Sequence, residues 1–462
     1  MATNNEGSRE PKADDGFARY RRWLEIAGIV TGATGSGGAF AYRRGQVLVS
    51  SAGLHSDEEL DRIVLEVLKN NAKPTGSVFG VHRYEVPDAL QARDELRRRQ
   101  LAAAPNHVFF GDNNYTGSPA YLGNPAYLGN PAYLGNPAYL GNPAYLGNPA
   151  YLGNPMASTA RPAPTPAPWE PRQANAASIQ SLAAPVVAIL DTGLAVGSGS
   201  VDAAHPWITD AAFVIDPAPS GSPTVVDDID VPDSDHDGWL DREAGHGTFI
   251  SGIVRRLAPN ATIVDIGVLT GFGDGDDFTV GEGIKRLMDK IPSVDIVNMS
   301  LSGYTDDDRP PLAIAAATRA LRAAGNRPVV VAAAGNNASS RPAYPAALGD
   351  VIGVAATDDV TRAWFSNYGR WVDACAPGVD VVSTFFVFDG KAVAADGYSD
   401  PDAFRDGWAV WSGTSFSAPK VAGAIARYMS DHSCDARAAA YALVHQRGLF
   451  RVPDLGVVVN VV

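Results

Sequence analysis

Between Pro119 and Pro155 a proline recurs at every sixth position, and this period decides how the rest of the chain must be divided. Ser118-Pro119-Ala120-Tyr121-Leu122-Gly123 is followed by five copies of Asn-Pro-Ala-Tyr-Leu-Gly, from Asn124 through Gly153. Each proline removes a backbone donor and pushes the preceding residue out of the helical region. Gly beside Asn-Pro adds turn chemistry. A period of six can also mark a β-helix, but those coils bury β-branched residues, and Pro with Tyr in every unit suits them poorly. The repeat reads as an expanded spacer, with a Tyr/Leu tract that binds a partner as the alternative. Pro162, Pro164, Pro166, Pro168 and Pro171 continue it as a Pro/Ala linker. Two stretches able to fold remain, residues 1–112 and 179–462, on either side of a low-complexity linker over 113–178.

The composition suits such stretches: 45% hydrophobic and 19% charged residues are enough to bury a large core. A net charge of −14 argues against nucleic acid or an anionic membrane surface as partner. No run approaches the roughly 18 apolar residues of a membrane span. Cys375 and Cys434 are too few for a disulfide framework and read as two buried free thiols. The polar stretch Met1–Asp15 makes a cytoplasmic location the default. Arg21-Arg22, ahead of a Gly-rich stretch ending at Ala39-Phe40-Ala41, keeps export by a twin-arginine route as the alternative.

In the first stretch Gln46–Ser50 reads as a strand. Ser56 with Glu59 forms a capping box. The helix behind it carries Leu60, Ile63, Val64, Val67 and Leu68 on one face. Residues 78–86 read as a second strand, Pro87-Asp88 as the start of a charged helix, and Val108-Phe109-Phe110 as a third strand. This β-α-β-α-β order predicts a small α+β domain.

The last stretch alternates apolar runs with helical ones. Strands are expected at Val186–Leu190, Thr262–Ile266, Ile296–Met299, Val329–Ala333, Val351–Ala355 and Val381–Phe385, and helices at Thr248–Arg256, Val280–Asp289, Pro311–Ala324 and Ala418–Ser430. Continuous apolar runs mark strands buried on both faces, so the prediction is an α/β domain with a mainly parallel sheet.

Four short motifs carry groups capable of chemistry. Asp191 directly follows a buried strand, at the sheet edge where sites form, although Asp-Thr-Gly also suits a turn. His246 lies between two glycines just before a helix, a setting that permits close backbone approach. Ser415, after Gly413-Thr414 and before Pro419, belongs in a first helical turn, either as a cap or as a nucleophile beside unpaired N–H groups. Asn336 ends the apolar run Val329–Gly335, as a turn former or as a donor to an oxyanion. Carboxylate, imidazole and hydroxyl, in this chain order, are the parts of one of the known acyl-transfer triads.

Residues 186–193, 245–252, 298–303, 332–336, 344–358 and 412–426 together resemble the motifs of the subtilisin-family (subtilase) serine proteases. The resemblance implies a subtilisin-like three-layer fold and a serine endopeptidase. In it Asp191 orients the imidazole, His246 is general base and acid, and Ser415 is the nucleophile. Asn336 and the Ser415 N–H would form the oxyanion hole. It also implies that Ser300, Leu301 and Ser302 pair with an extended peptide or protein substrate, with Leu269–Gly273 on its other side. Ala333, Ala334 and Gly335 would border the first specificity pocket. Phe249 stands where many relatives carry a second His.

No cofactor is expected for the chemistry. Asp233, Asp235, Asp237 and Asp241 follow the spacing of a calcium loop, with Ala244 where its bidentate Glu belongs and Glu243 one place early. A structural calcium ion is one expectation; a solvated acidic loop, or one that prefers basic substrates, is the other. By the same resemblance the N-terminal domain is propeptide-like, an intramolecular inhibitor or folding aid that ends on Val108–Gly111. A fixed recruitment domain is the alternative. For the whole chain the rival reading is a non-catalytic protein that uses this fold and the repeat for assembly.

Overall fold

Val187 and Ile189 lie in one buried apolar cluster, and Ala188 and Leu190 in another. Successive side chains of a strand face opposite ways, so both sides of this strand are covered. The computed structural model describes residues 23–111, 160–163, 184–195, 212–214, 228–234, 240–359, 361–389 and 403–461. The hexapeptide repeat, most of the Pro/Ala linker and the Arg21-Arg22 pair lie outside them.

The N-terminal unit contains β1 (Ile29–Ala33), β2 (Ala39–Ser50), α1 (Asp57–Val67), β3 (Lys73–Val78), β4 (Val81–Glu85), α2 (Ala89–Arg98) and β5 (Ala103–Gly111). Ser56 accepts from the Glu59 N–H at 3.2 Å and Asp88 from the Gln91 N–H at 2.9 Å, so both helices start where the sequence places them. Residues 78–86 are not one strand. Phe79 and Gly80, at φ 49° and 73°, make the two-residue turn of a hairpin between β3 and β4. Leu60, Val64, Ala92 and Leu96 pack α1 and α2 on one face of this sheet. On its other face Leu48, Val78 and Val81 pack on Phe278 and Ala313 of the second unit.

The second unit is built on β6 (Val186–Asp191), β7 (Ala212–Val214), β8 (Thr262–Gly267), β10 (Ile296–Met299), β12 (Val329–Ala333), β13 (Val351–Asp358), β14 (Ala374–Pro377) and β17 (Gly456–Val458). Across the sheet they run β7-β8-β6-β10-β12-β13-β14-β17, every pair parallel. Val381–Thr384 (β15) is a strand, but it pairs antiparallel with Trp408–Trp411 (β16) outside the parallel sheet. The short strand β14 went unread in the sequence. Helices α3 (His246–Leu257) and α6 (Thr414–His432) cover one face, and α4 (Asp277–Lys290) and α5 (Leu312–Ala323) the other, giving three layers. Strand order turns at β6, flanked by β8 and β10, and open sheets bind ligands beyond the strand ends at such a point.

The two units share a sheet. Two short edge strands, β9 (Asp274–Asp276) and β11 (Leu301–Ser302), both pair antiparallel with β5. Cys375 is buried and Cys434 only partly so, both as free thiols. Among the described residues no helix is long and apolar enough to cross a membrane.

Helix α5 begins at Pro311, which offers no side-chain cap. Asp277 supplies one from outside, its carboxylate accepting from Ala313 N–H at 3.2 Å and Ile314 N–H at 2.7 Å. Burial, opposed by these hydrogen bonds, raises its carboxyl from 3.8 to about 6. A folded value above the unfolded one means that this group favours folding below pH about 4 and loses that contribution as pH rises through about 6. Asp277→Asn, which does not titrate, should therefore gain stability relative to the parent by about 2–3 kcal/mol between pH 4 and pH 7. Thermal unfolding midpoints of both proteins across that range check this; a constant difference would refute it.

Candidate active site

Asp191 is the last residue of β6 and is fully buried. Its Oδ1 accepts from the Thr192 N–H at 2.8 Å and from His246 Nδ1 at 2.7 Å. With Nδ1 donating, the neutral ring keeps its lone pair on Nε2. That nitrogen has no hydrogen-bond partner among the described residues.

Backbone contacts bring this pair together. His246 opens α3, and Gly245 before it takes φ 85°, a left-handed conformation in which a Cβ would strike Phe385. A Cβ on Gly247 would lie 2.1 Å from the Gly193 carbonyl oxygen, so the Asp191 loop and the start of α3 meet at glycine contact distance. Thr192 Oγ1 donates to Asp230 Oδ2 at 2.7 Å and accepts from the Gly247 N–H at 3.1 Å, while the Gly245 N–H donates to the same Asp230 oxygen at 2.8 Å. Asp230 therefore ties the aspartate loop to the histidine loop. Burial pushes its carboxyl well above the ordinary value, and the Asp191 charge adds to this against the two hydrogen bonds. Sequence reasoning missed Asp230, because it sits in an acidic run that resembles a solvated loop.

Trp411 and Phe416 wall the imidazole, each with ring centroids 5.4 Å from it. Phe249 packs on both aromatics, so the departure noted at that position serves this wall.

Ser415 is the second residue of α6, and its Oγ donates to the Ser300 carbonyl at 3.3 Å. Pro419 has no N–H to give the Ser415 carbonyl four residues back. Ser300 Oγ replaces it at 2.8 Å, itself held by Asn298 Nδ2 at 2.9 Å. Asn336 Oδ1 accepts from the Thr414 N–H at 2.9 Å, which holds that amide against the first turn of α6 beside Ser415. Ala333 and Ala334 are buried at the end of β12. Gly335, at φ 101°, donates to Thr414 Oγ1 at 3.1 Å, and a Cβ there would lie 2.9 Å from Ser302 Oγ.

The groove beside Ser415 holds a strand of the same chain. Leu301 pairs with Gly111 and Ser302 with Phe110, while Asp274, Gly275 and Asp276 pair with Phe110, Phe109 and Val108. The second wall is thus Asp274–Asp276, further along than the expected Leu269–Gly273, of which Gly273 takes part by accepting from the Gly111 N–H at 2.8 Å. Phe109 is fully buried in a cluster with Leu269, Leu301 and Tyr344.

Of the calcium ligands expected, Asp235 and Asp237 lie outside the described residues. Asp241 Oδ2 accepts from the N–H and hydroxyl of Ser234. Among the described residues no three His, Cys, Asp or Glu side chains converge on one point.

A family profile described as "Subtilase family" matches residues 183–446. A thermophilic serine proteinase of Bacillus sp. (strain AK1) is 33% identical over 249 residues, 51% of this chain and 50% of that protein. Thermitase of Thermoactinomyces vulgaris is 32% identical over 201 residues, 41% and 62% respectively. The chain thus spans between half and two thirds of the length of these relatives. Fervidolysin from Fervidobacterium pennivorans, a keratinolytic enzyme related to subtilisin, has a similar fold, with TM-score 0.56, 20% identity and coverage of 91% of this chain and 60% of that one.

Gly247→Ala should force the Gly193 loop off α3 and break the Asp191–His246 hydrogen bond. The low-field Nδ1 proton of His246, observed with 15N-labelled histidine, should disappear, with roughly 1–3 kcal/mol of stability lost to overpacking. An unchanged resonance would show that the backbone contact is not what sets the pair.

Proposed function

The chain belongs to the subtilase family, and from that premise we propose that it is a serine endopeptidase working through an acyl-enzyme on Ser415. The observation that carries this reading is the buried Asp191–His246 hydrogen bond at 2.7 Å, beside a groove already filled by an extended strand.

In the proposed reaction His246 Nε2 takes the Ser415 hydroxyl proton as Oγ bonds to the scissile carbonyl carbon. The Asn336 amide and the Ser415 N–H receive the oxyanion, in a water-poor site where such donors act strongly. The carbon–nitrogen bond then breaks, and the proton passes from His246 to the leaving amine. Water enters, gives a proton to His246, and its oxygen displaces Ser415 Oγ, which recovers that proton. Asp191 keeps the ring in the tautomer that this needs. Before the first step Ser415 Oγ must turn from the Ser300 carbonyl towards Nε2, a rotation about one side-chain bond.

The N-terminal unit, on this reading, inhibits the uncut chain. Strand β5 takes the place of a peptide by adding to both edge strands, β9 and β11. Ion pairs clamp it: Arg93 and Arg97 reach Asp306 Oδ2 at 2.7 and 3.1 Å, and His107 Nε2 lies 3.1 Å from Asp306 Oδ1. Burial opposes charge on Asp306, yet His107, Arg97 and Arg93 hold its carboxyl well below the ordinary value.

A fluorophosphonate probe should label the purified, processed protein on one serine and leave Ser415→Ala unlabelled; no label on the processed protein, or equal labelling of both, would sink the endopeptidase. Asn336→Ala should keep the label site but lower kcat by about 10²–10³, the loss seen when such a donor is removed from a related subtilisin. The double variant Arg93→Ala, Arg97→Ala removes two charges from the clamp. It should raise the peptidase activity of uncut chain severalfold, as followed on a fluorogenic peptide, and unchanged activity would argue against inhibition by this unit.

A further inference from the structure

Asp274 and Asp276 stand two residues apart on edge strand β9, so their side chains share one face of the sheet. Their cross-strand neighbours Phe110 and Val108 lie on that face as well, because directly paired residues project to the same side. The two carboxylates are 1% and 5% exposed.

Each carboxylate is held from both units. Asp274 Oδ1 accepts from Thr270 Oγ1 at 2.7 Å, and Asp276 Oδ1 accepts from the N–H and hydroxyl of Thr279 at 2.9 and 3.0 Å, all within the catalytic half. Asp274 Oδ1 also accepts from Trp23 Nε1 of the N-terminal unit at 3.1 Å. The second oxygens, Oδ2 of each, meet the guanidinium of the N-terminal unit. Arg43, on β2, reaches across β5 to place Nη2 2.9 Å from Asp274 Oδ2 and Nε 3.0 Å from Asp276 Oδ2. A guanidinium therefore already sits where β5 imitates a substrate, on carboxylates that Thr270 and Thr279 hold in place without it. Burial opposes charge on Asp276, but Arg43 and the α4 cap bring its carboxyl below the ordinary value.

When a substrate strand replaces β5, Arg43 leaves with its unit and both outward oxygens lose their cation. Buried carboxylates without a partner are costly, and a cationic side chain on the incoming peptide relieves that cost. The register states where it belongs. Ser415 Oγ bonds the Ser300 carbonyl, so the residue under attack lies opposite Ser300. Counting back along an antiparallel strand, the third residue on the amino side of the cut bond falls opposite Ser302 and Asp274, and the fifth opposite Asp276.

Building on the endopeptidase reading, we propose that Asp274 and Asp276 determine specificity by selecting arginine or lysine at the third and fifth residues before the cut bond, in the place that Arg43 fills in the uncut chain. This makes the cleft selective two strand positions away from the nucleophile, through backbone-registered charge.

The test is digestion of a diverse peptide library by the self-processed protein, with cut sites mapped by mass spectrometry and the active fraction counted by fluorophosphonate labelling. Arginine and lysine should be enriched about tenfold over glutamine at both positions. Asp274→Asn should abolish the enrichment at the third position only, and Asp276→Asn at the fifth only. Asparagine can still accept from Thr270 or cap α4, so each variant keeps its contacts within the catalytic half and gives up only the charged one to Arg43. The proposal is overturned if the parent shows no cationic enrichment there, or if each single variant keeps it. A protein that cuts nothing and takes no label would instead overturn the endopeptidase reading, and this one with it.

Discussion

A carboxylate buried at the end of a parallel strand is the constraint around which the second unit is organised. Removing the Asp191 charge from water costs on the order of several kcal/mol unless hydrogen bonds return it. The Thr192 N–H and His246 Nδ1 supply those bonds, and both depend on a loop and a helix start meeting at the Gly193–Gly247 contact. The switch in strand order at β6 opens the space above that carboxylate, and Asp230 ties its two neighbours. The aromatic wall of Trp411, Phe416 and Phe249 then excludes water from the imidazole.

The second dependency is an exchange of backbone groups across edge strands. β9 and β11 are three and two residues long, and β5 supplies their pairing partner. On the proposed reading, the backbone groups that receive β5 are those that would receive a peptide, so inhibition and substrate binding would compete for one set of hydrogen bonds. Side chains on β5 divide between two faces. Phe109 faces the core of the second unit, while Val108 and Phe110 face the side where Arg43 meets Asp274 and Asp276.

Much of the parallel sheet was legible because strands buried on both faces must be apolar at every position. Ile296–Met299 and Val329–Ala333 were read to the residue for that reason. The hairpin at Phe79-Gly80 was not, since Phe is an unusual residue at positive φ and the flanking apolar run looks continuous. β14 escaped because Ala374–Pro377 is short and ends in proline. The roles of Asp230 and Asp277 were invisible for another reason: an acidic residue in a loop reads the same whether water or a distant N–H receives it.

Residue order alone settled the chemistry available to this chain. A carboxylate after a buried strand, an imidazole between glycines and a hydroxyl at a helix start are local facts, fixed by neighbours within a few positions. Tertiary structure decided what no local window contains: that Asp230 joins two loops, that Asp277 caps a helix 35 residues away, and that Arg43 meets carboxylates more than 200 residues on. Those contacts follow from how two units pack and from which edge strands accept β5, and packing is a property of surfaces that exist only once the chain has folded.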